Sequence, residues 1–269
     1  MRVALKLAYI GTEFHGSQIQ PNVETVEGEL FKALRKLGII ESPKSANYVC
    51  AGRTDAGVHA LGQVVSFDTD KPNLAIPRVI NSELPSSIWT WAHAEVSGGF
   101  DPRRQAVSRR YRYVMCGEAY DIPRIREASK LLLGTHDFAN FSRADGDKGT
   151  VRTLERIDIR VDGELTKIDV VGNSFLWNMV RKIVSALSMI GNGVRDEDWL
   201  IQMLSPEVYE EGLEPAPPYG LTLMEINYPD PLEWVEDSYS VRRAEDLNYR
   251  RIPEHRVMAE VLEELIFKE

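Results

Sequence analysis

Ala51-Gly52-Arg53-Thr54-Asp55-Ala56-Gly57-Val58-His59-Ala60 is the most informative stretch of this chain. Gly52 and Gly57 permit backbone geometries that other residues resist, and they let a ligand approach the backbone closely. Between them a cation, Arg53, stands two residues from a carboxylate, Asp55. The short apolar run Tyr48-Val49-Cys50 precedes the segment, and Val64-Val65-Ser66-Phe67 follows it with the pattern of a strand. The decapeptide therefore reads as a tight loop after a strand. A carboxylate in such a loop can be held rigidly, kept ionised by a nearby cation, and used to attack carbon or to take a proton. Taken alone, Thr-Asp-Ala-Gly also fits an ordinary turn, with Asp55 capping backbone amides and Arg53 solvated.

Upstream, Val3, Leu5, Leu7 and Tyr9 alternate like a half-buried strand. Val26, Leu30, Leu34 and Leu37 share one face of a helix over Val26–Gly38, with Glu24, Glu27 and Glu29 near its positive end. Ile76–Leu84 reads as a helix and Ile88–Val96 as a strand. Downstream the style repeats. Strands are expected over Arg109–Met115, Thr153–Val161, Ile168–Val171 and Leu221–Ile226, and a helix over Ile122–Leu133. The clearest helical pattern is Phe175–Ile190, with Phe175, Met179, Ile183, Ala186 and Ile190 on one side and Asn173 or Ser174 as its cap. Neighbouring strands without a helix between them predict an α+β fold with mainly antiparallel sheet. The two halves are similar in make-up, so two related subdomains are expected, 1–105 carrying the Asp55 loop and 106–229 following it. Residues 230–269 form an acidic extension, with a helix over Pro253–Phe267 whose Val257, Val261, Leu262 and Leu265 face inward against the main body.

The net charge of −9 is unevenly spread. Residues 196–214 carry a net −7 and residues 230–269 a net −5, so the rest of the chain is net +3. Asp101–Arg112 holds five arginines against one aspartate, which leaves room for a local basic face. No apolar run approaches the roughly 20 residues of a membrane helix, and the first residues lack the apolar core and cleavage site of a signal peptide. Cys50 and Cys116 stand far apart without metal-ligand neighbours. They suit a reducing cytoplasm and argue against a zinc site.

The whole decapeptide closely resembles the catalytic loop of the TruA family of pseudouridine synthases, in which the aspartate is essential. Further matches follow in the family's order: Ser108-Arg109-Arg110-Tyr111-Arg112-Tyr113, Leu133-Gly134-Thr135-His136-Asp137-Phe138-Ala139-Asn140-Phe141, Asn173-Ser174-Phe175-Leu176-Trp177-Asn178-Met179-Val180-Arg181-Lys182-Ile183-Val184, Gly220-Leu221-Thr222-Leu223 and Tyr228-Pro229-Asp230. The resemblance covers about residues 3–230 and leaves the tail outside. One early segment departs from the pattern. Where the family has aromatic residues and Gly-Trp-Gln-x-Gln, this chain reads Phe14-His15-Gly16-Ser17-Gln18-Ile19-Gln20, with Ser17 in place of the tryptophan.

The resemblance implies the pseudouridine synthase fold, with an active-site cleft between two subdomains. It implies isomerisation of uridine in the anticodon stem-loop of tRNA, at positions 38, 39 or 40, by a homodimer that needs no metal, redox cofactor or energy source. Asp55 is then the essential carboxylate. The sequence leaves open whether it attacks sugar or base carbon or removes a sugar proton. Arg181 supplies the cation that keeps Asp55 ionised, Arg53 fills the gap or holds the phosphate of an extruded nucleotide, Tyr111 stacks on the target base, and Leu221 either lines the site or packs in the core. Gln18 lies in a loop expected to touch RNA. Arg103, Arg104, Arg109, Arg110 and Arg112 are candidates for phosphate contacts. Alternation puts Arg110 and Arg112 on one face of their strand, with Arg109, Tyr111 and Tyr113 on the other. His59 and His136 read as structural. A non-catalytic RNA-binding module is a rival that the intact Asp55 loop disfavours. An aspartate-dependent hydrolase is another, and it lacks a second carboxylate near Asp55.

Overall fold

A computed structural model describes residues 1–116, 120–143, 149–205, 207 and 212–265. In chain order its elements are β1 (Arg2–Tyr9), α1 (Val26–Lys36), β2 (Val49–Cys50), β3 (His59–Asp68), α2 (Pro77–Ile80), β4 (Ile88–Val96), β5 (Ser108–Cys116) and α3 (Ile122–Lys130). They continue with β6 (Gly134–Asp137), β7 (Val151–Asp162), β8 (Leu165–Gly172), α4 (Met179–Gly191), α5 (Glu197–Met203), β9 (Leu221–Asn227), β10 (Val235–Glu236) and α6 (Ser238–Glu264). Local signals explain most of them. Thr25 caps α1 by accepting the Gly28 N–H at 3.2 Å, Glu27 and Glu29 occupy its first turn, and Val26, Leu30 and Leu34 are buried.

The strands form one continuous sheet in the order β10-β4-β1-β3-β9-β5-β8-β7-β6, with β2 also on β3. The fold is α+β, and the described pairings are antiparallel with one exception. β3 and β9 run parallel, with His59 opposite Thr222 and Ala60 opposite Leu223. This pair is the seam between the two halves of the chain. Two apolar clusters flank it, and they exchange residues. Val58 packs in the cluster built by α3, α4 and α5, while Leu223 and Ile226 pack in the cluster built around β1 and α1. Tyr111 touches both.

Three expectations change. The helix expected over Phe175–Ile190 starts only at Met179, because Asn178 adopts φ 66°, ψ 0°, a left-handed conformation that interrupts the helical path. Asn173 does not cap it; its Oδ1 accepts from the backbone N–H groups of Ser174 and Thr153. The helix expected over Ile76–Leu84 is a single turn. The tail helix starts at Asp237, which caps it through the Ser240 N–H at 2.7 Å, and runs through Pro253. Its first half docks on β4 and α2, burying Ser240 and Ala244. Past Arg251, which reaches Ser86 and Glu13, the residues are exposed, Val257, Val261, Leu262 and Leu265 included. They do not face the body as expected. Ile266 and Phe267 of that expected helix lie outside the described residues. No helix among the described residues is long and apolar enough to cross a membrane.

The difference between the two helices is measurable. Ile183 is fully buried in α4, so Ile183→Ala is expected to lower the unfolding free energy by about 2–5 kcal/mol. Val261 on the projecting half of α6 is 44% exposed, and Val261→Ala is expected to stay within about 0.5 kcal/mol. Urea unfolding of both variants reads the contrast.

Candidate active site

The Asp55 loop is anchored at both ends and braced from below. Ala51 N–H donates to Val64 O at 2.8 Å, and the turn closes with Val58 N–H on Asp55 O at 3.1 Å. Gly57 sits at φ 81°, and a Cβ there would stand 2.9 Å from the Pro218 ring, so its glycine meets both a conformational and a steric demand. The brace is the segment before α1. Ser17 N–H donates to Thr54 O at 3.1 Å, and Thr54 N–H donates to Ser17 Oγ at 2.8 Å. Beneath them the fully buried Tyr9 hydroxyl shares a 2.8 Å hydrogen bond with Thr54 Oγ1. Ser17, the departure from the family pattern, is thus buried and occupied with the backbone of the loop. Gln18 beside it is exposed.

His59 ties the loop to the other half of the chain. Its Nδ1 accepts the Gly11 N–H at 3.1 Å, so in the neutral ring the proton is on Nε2, which donates to Tyr219 O at 3.0 Å. Burial lowers its pKa. His136 bonds Leu133 O at 2.8 Å and packs edge-on against Phe138.

Arg181, in the first turn of α4, meets Asp55 across the seam. Its Nη1 lies 3.3 Å from Asp55 Oδ2, with side-chain exposures of 13% for the arginine and 30% for the aspartate. The guanidinium is held by uncharged groups besides. Nε donates to Ala216 O at 2.6 Å and Nη1 to Asn178 Oδ1 at 3.1 Å, while Ala216 N–H returns a bond to Arg181 O at 3.2 Å. At 3–4 Å and an effective dielectric near 20, the gross attraction of such a pair is about 4 kcal/mol, and desolvation takes back a large part. What remains is directional: an anchored cation facing a carboxylate.

Tyr111 packs edge-on against Phe175, with ring centroids 5.1 Å apart. Burial pushes its phenol up to about 12, so the hydroxyl is neutral at physiological pH. Leu221 is buried in the cluster that contains Val58 and Tyr113. Arg53 is exposed and, among the described residues, makes no ion pair. Arg110 and Arg112 are not brought together with the pair. They project from the opposite face of β5 to Tyr111, as alternation requires. Arg112 forms a two-pronged contact with Asp169 at 2.8 and 2.9 Å, and Arg110 lies 3.4 Å from Glu225 and 3.8 Å from Asp169. Arg109 donates to the carbonyls of Asn173 and Arg103. The sequence alone assigns no site role to Tyr9, Ser17 or Asn178: Tyr9 belongs to the alternation of β1, and Ser17 and Asn178 to segments aligned with the family.

A family model described as tRNA pseudouridine synthase matches residues 128–229. A protein of Methanosarcina acetivorans named tRNA pseudouridine synthase A is 80% identical over 269 residues, 100% of both chains. The chain belongs to the tRNA pseudouridine synthase A family. More distant relatives of the same name include one from Archaeoglobus fulgidus, 48% identical over 95% of this chain and 94% of that one, and one from Thermococcus sibiricus, 41% identical over 98% of each. As a pseudouridine synthase the protein is an isomerase: the N1–C1′ bond of a uridine is exchanged for a C5–C1′ bond, with C5 losing a proton and N1 gaining one.

The His59 bridge predicts a pH dependence. A pKa lowered by folding makes the unfolded chain bind more protons in the window below about 6.5, the ordinary histidine value. The bridge's contribution is therefore present above that value and lost as pH falls through the folded value, at no more than about 1.4 kcal/mol per pH unit. His59→Gln, which can both accept and donate but does not titrate, is expected to show a flatter fall in urea-unfolding stability between pH 7.5 and 5.

Proposed function

We propose that this protein isomerises uridine to pseudouridine in the anticodon stem-loop of tRNA, at positions 38, 39 or 40, with Asp55 as the catalytic carboxylate and Arg181 as its counter-ion. The observation that carries the reading is the 3.3 Å Asp55–Arg181 contact, made between a loop of one half of the chain and a helix of the other. A carboxylate that must act on a nucleotide in a partly dry site has to stay ionised, and a fixed guanidinium supports that. On this reading Tyr111, whose phenol feels the Asp55 charge, and Leu221, packed in the cluster that also holds Val58 and residues of α4, supply an aromatic edge and an apolar wall to a uracil ring. A paired uridine reaches this place only after extrusion from its stem, which costs a few kcal/mol. Arg53, exposed and two residues from Asp55 in the chain, would repay part of that cost by holding the phosphate or filling the vacated space. Gln18 flanks the same loop. We assign the protein to the cytoplasm, where tRNA is processed, and to a homodimer in solution; light scattering that finds only monomer at micromolar concentration counts against the dimer.

The test is direct. Asp55→Asn is expected to abolish pseudouridine formation on an unmodified tRNA transcript while leaving tRNA affinity within a few-fold; a large affinity loss would make Asp55 structural. Mapping pseudouridine on tRNA from cells lacking and regaining the gene reads the positions.

Charge partners separate the arginines. Each phosphate neutralised in a duplex region contributes close to −0.9 to the slope of log K against log salt. Arg53→Ala is expected to flatten the slope by nearly that amount. Arg110→Ala, whose charge is shared with Glu225 and Asp169, is expected to flatten it by less than half as much. Binding titrations from 50 to 200 mM salt give both values.

A further inference from the structure

Asn178 stands at the start of α4 and does not behave as a cap. An asparagine in that position ordinarily takes an extended conformation and accepts a helix N–H with its side chain. Here the backbone is left-handed, φ 66° and ψ 0°, and the side chain caps nothing. Its backbone carbonyl still accepts the Lys182 N–H at 2.9 Å, so the helix is not short of its first bond. The side-chain amide turns instead to Arg181. Oδ1 receives Nη1–H at 3.1 Å, and the assignment of oxygen to that end is forced, because a guanidinium only donates.

The same nitrogen faces Asp55 Oδ2 at 3.3 Å, and Nε is fixed on Ala216 O at 2.6 Å. Two anchors, one at Nε and one at Nη1, define the plane of a rigid fork. With the Asn178 oxygen removed, one anchor remains among the described residues besides Asp55 itself, and the plane can turn about it. The left-handed backbone, which asparagine tolerates better than most residues, is what accompanies this turned side chain. An unfavourable backbone conformation combined with a forgone cap is the pattern of a residue held for its side chain.

We infer that Asn178 is a positioning residue for the reaction: it sets the orientation of the Arg181 guanidinium toward Asp55. The inference rests on the reading of Asp55 and Arg181 given above, and acts entirely through Arg181. Asn178→Gly is the informative change, since glycine accepts the left-handed backbone and deletes only the amide. Arg181→Lys keeps the charge and removes the fork.

Initial rates of pseudouridine formation on an in-vitro-transcribed tRNA, with kcat and KM separated and Tm recorded, test the role in a double-mutant cycle. Asn178→Gly is expected to lower kcat about tenfold, with KM within twofold and Tm within about 2 °C of the parent. In the Arg181→Lys background the same change is expected to cost less than twofold further. The inference is overturned if Asn178→Gly keeps kcat within twofold of the parent. It is equally overturned if the loss is the same in both backgrounds, or if it appears as a raised KM or a lowered Tm. If Arg181→Lys alone turns over like the parent, the role assigned to Arg181 fails, and Asn178's fails with it; that single variant tells the two failures apart.

Discussion

The parallel pairing of β3 with β9 is the constraint on which the site depends. Parallel neighbours cannot be joined by a tight turn, and here the chain travels from residue 68 to residue 221 before it returns beside its own earlier strand. That return closes the sheet across the seam, sets Leu221 and Pro218 against the loop that ends at Val58, and fixes α4 within reach of it. The exchange of Val58 for Leu223 and Ile226 between the two apolar clusters locks the register. A slip of one residue would turn each of these side chains to the wrong face. The Asp55–Arg181 contact is therefore a consequence of sheet registration, and its geometry is as rigid as the seam.

Polar groups then convert that rigidity into orientation. Tyr9, Thr54 and Ser17 hold the loop from the side of β1, and Ala216 and Asn178 hold the guanidinium from the side of α4. Among the described residues, Asp55 and Arg181 share no hydrogen-bonding brace apart from each other. Each half of the chain presents one prepared charged group, and registration brings the two together. Preorganisation of this kind puts the cost of orienting charges into folding and not into the reaction.

Much of this was legible locally. The decapeptide, the alternation of β1 and β5 and the apolar faces of α1 and α4 declare themselves, because local periodicity records burial. Long-range pairing leaves no such record, so nothing in the sequence announced that β3 and β9 run parallel. The same limit explains the arginines. Five arginines in twelve residues read as a basic face, yet Arg112 and Arg110 meet Asp169 and Glu225, which lie 57 or more residues away in the chain, and Arg109 is spent on carbonyls. Alternation correctly placed Arg110 and Arg112 opposite Tyr111; it was silent on which face holds the aspartate. Asn178 shows the reverse error. Its neighbours continue a helical pattern back to Phe175, and only a side-chain bond three residues ahead, combined with a positive φ, ends it.

The economy of charge around Arg181 has a mechanistic consequence. Among the described residues its other side-chain partners, the Ala216 carbonyl and the Asn178 amide, are neutral, so they fix its direction without consuming its charge. Had a second carboxylate taken either place, as Asp169 does for Arg112, the guanidinium would be neutralised twice over and Asp55 would gain less from it. On the proposed reading, a cation anchored by neutral acceptors keeps its field for the Asp55 carboxylate when an uncharged base takes the place of water. Arg110 and Arg112 spend their charge on Glu225 and Asp169, whereas Arg181, held otherwise by the neutral Ala216 and Asn178 oxygens, turns its charge to the carboxylate in the loop.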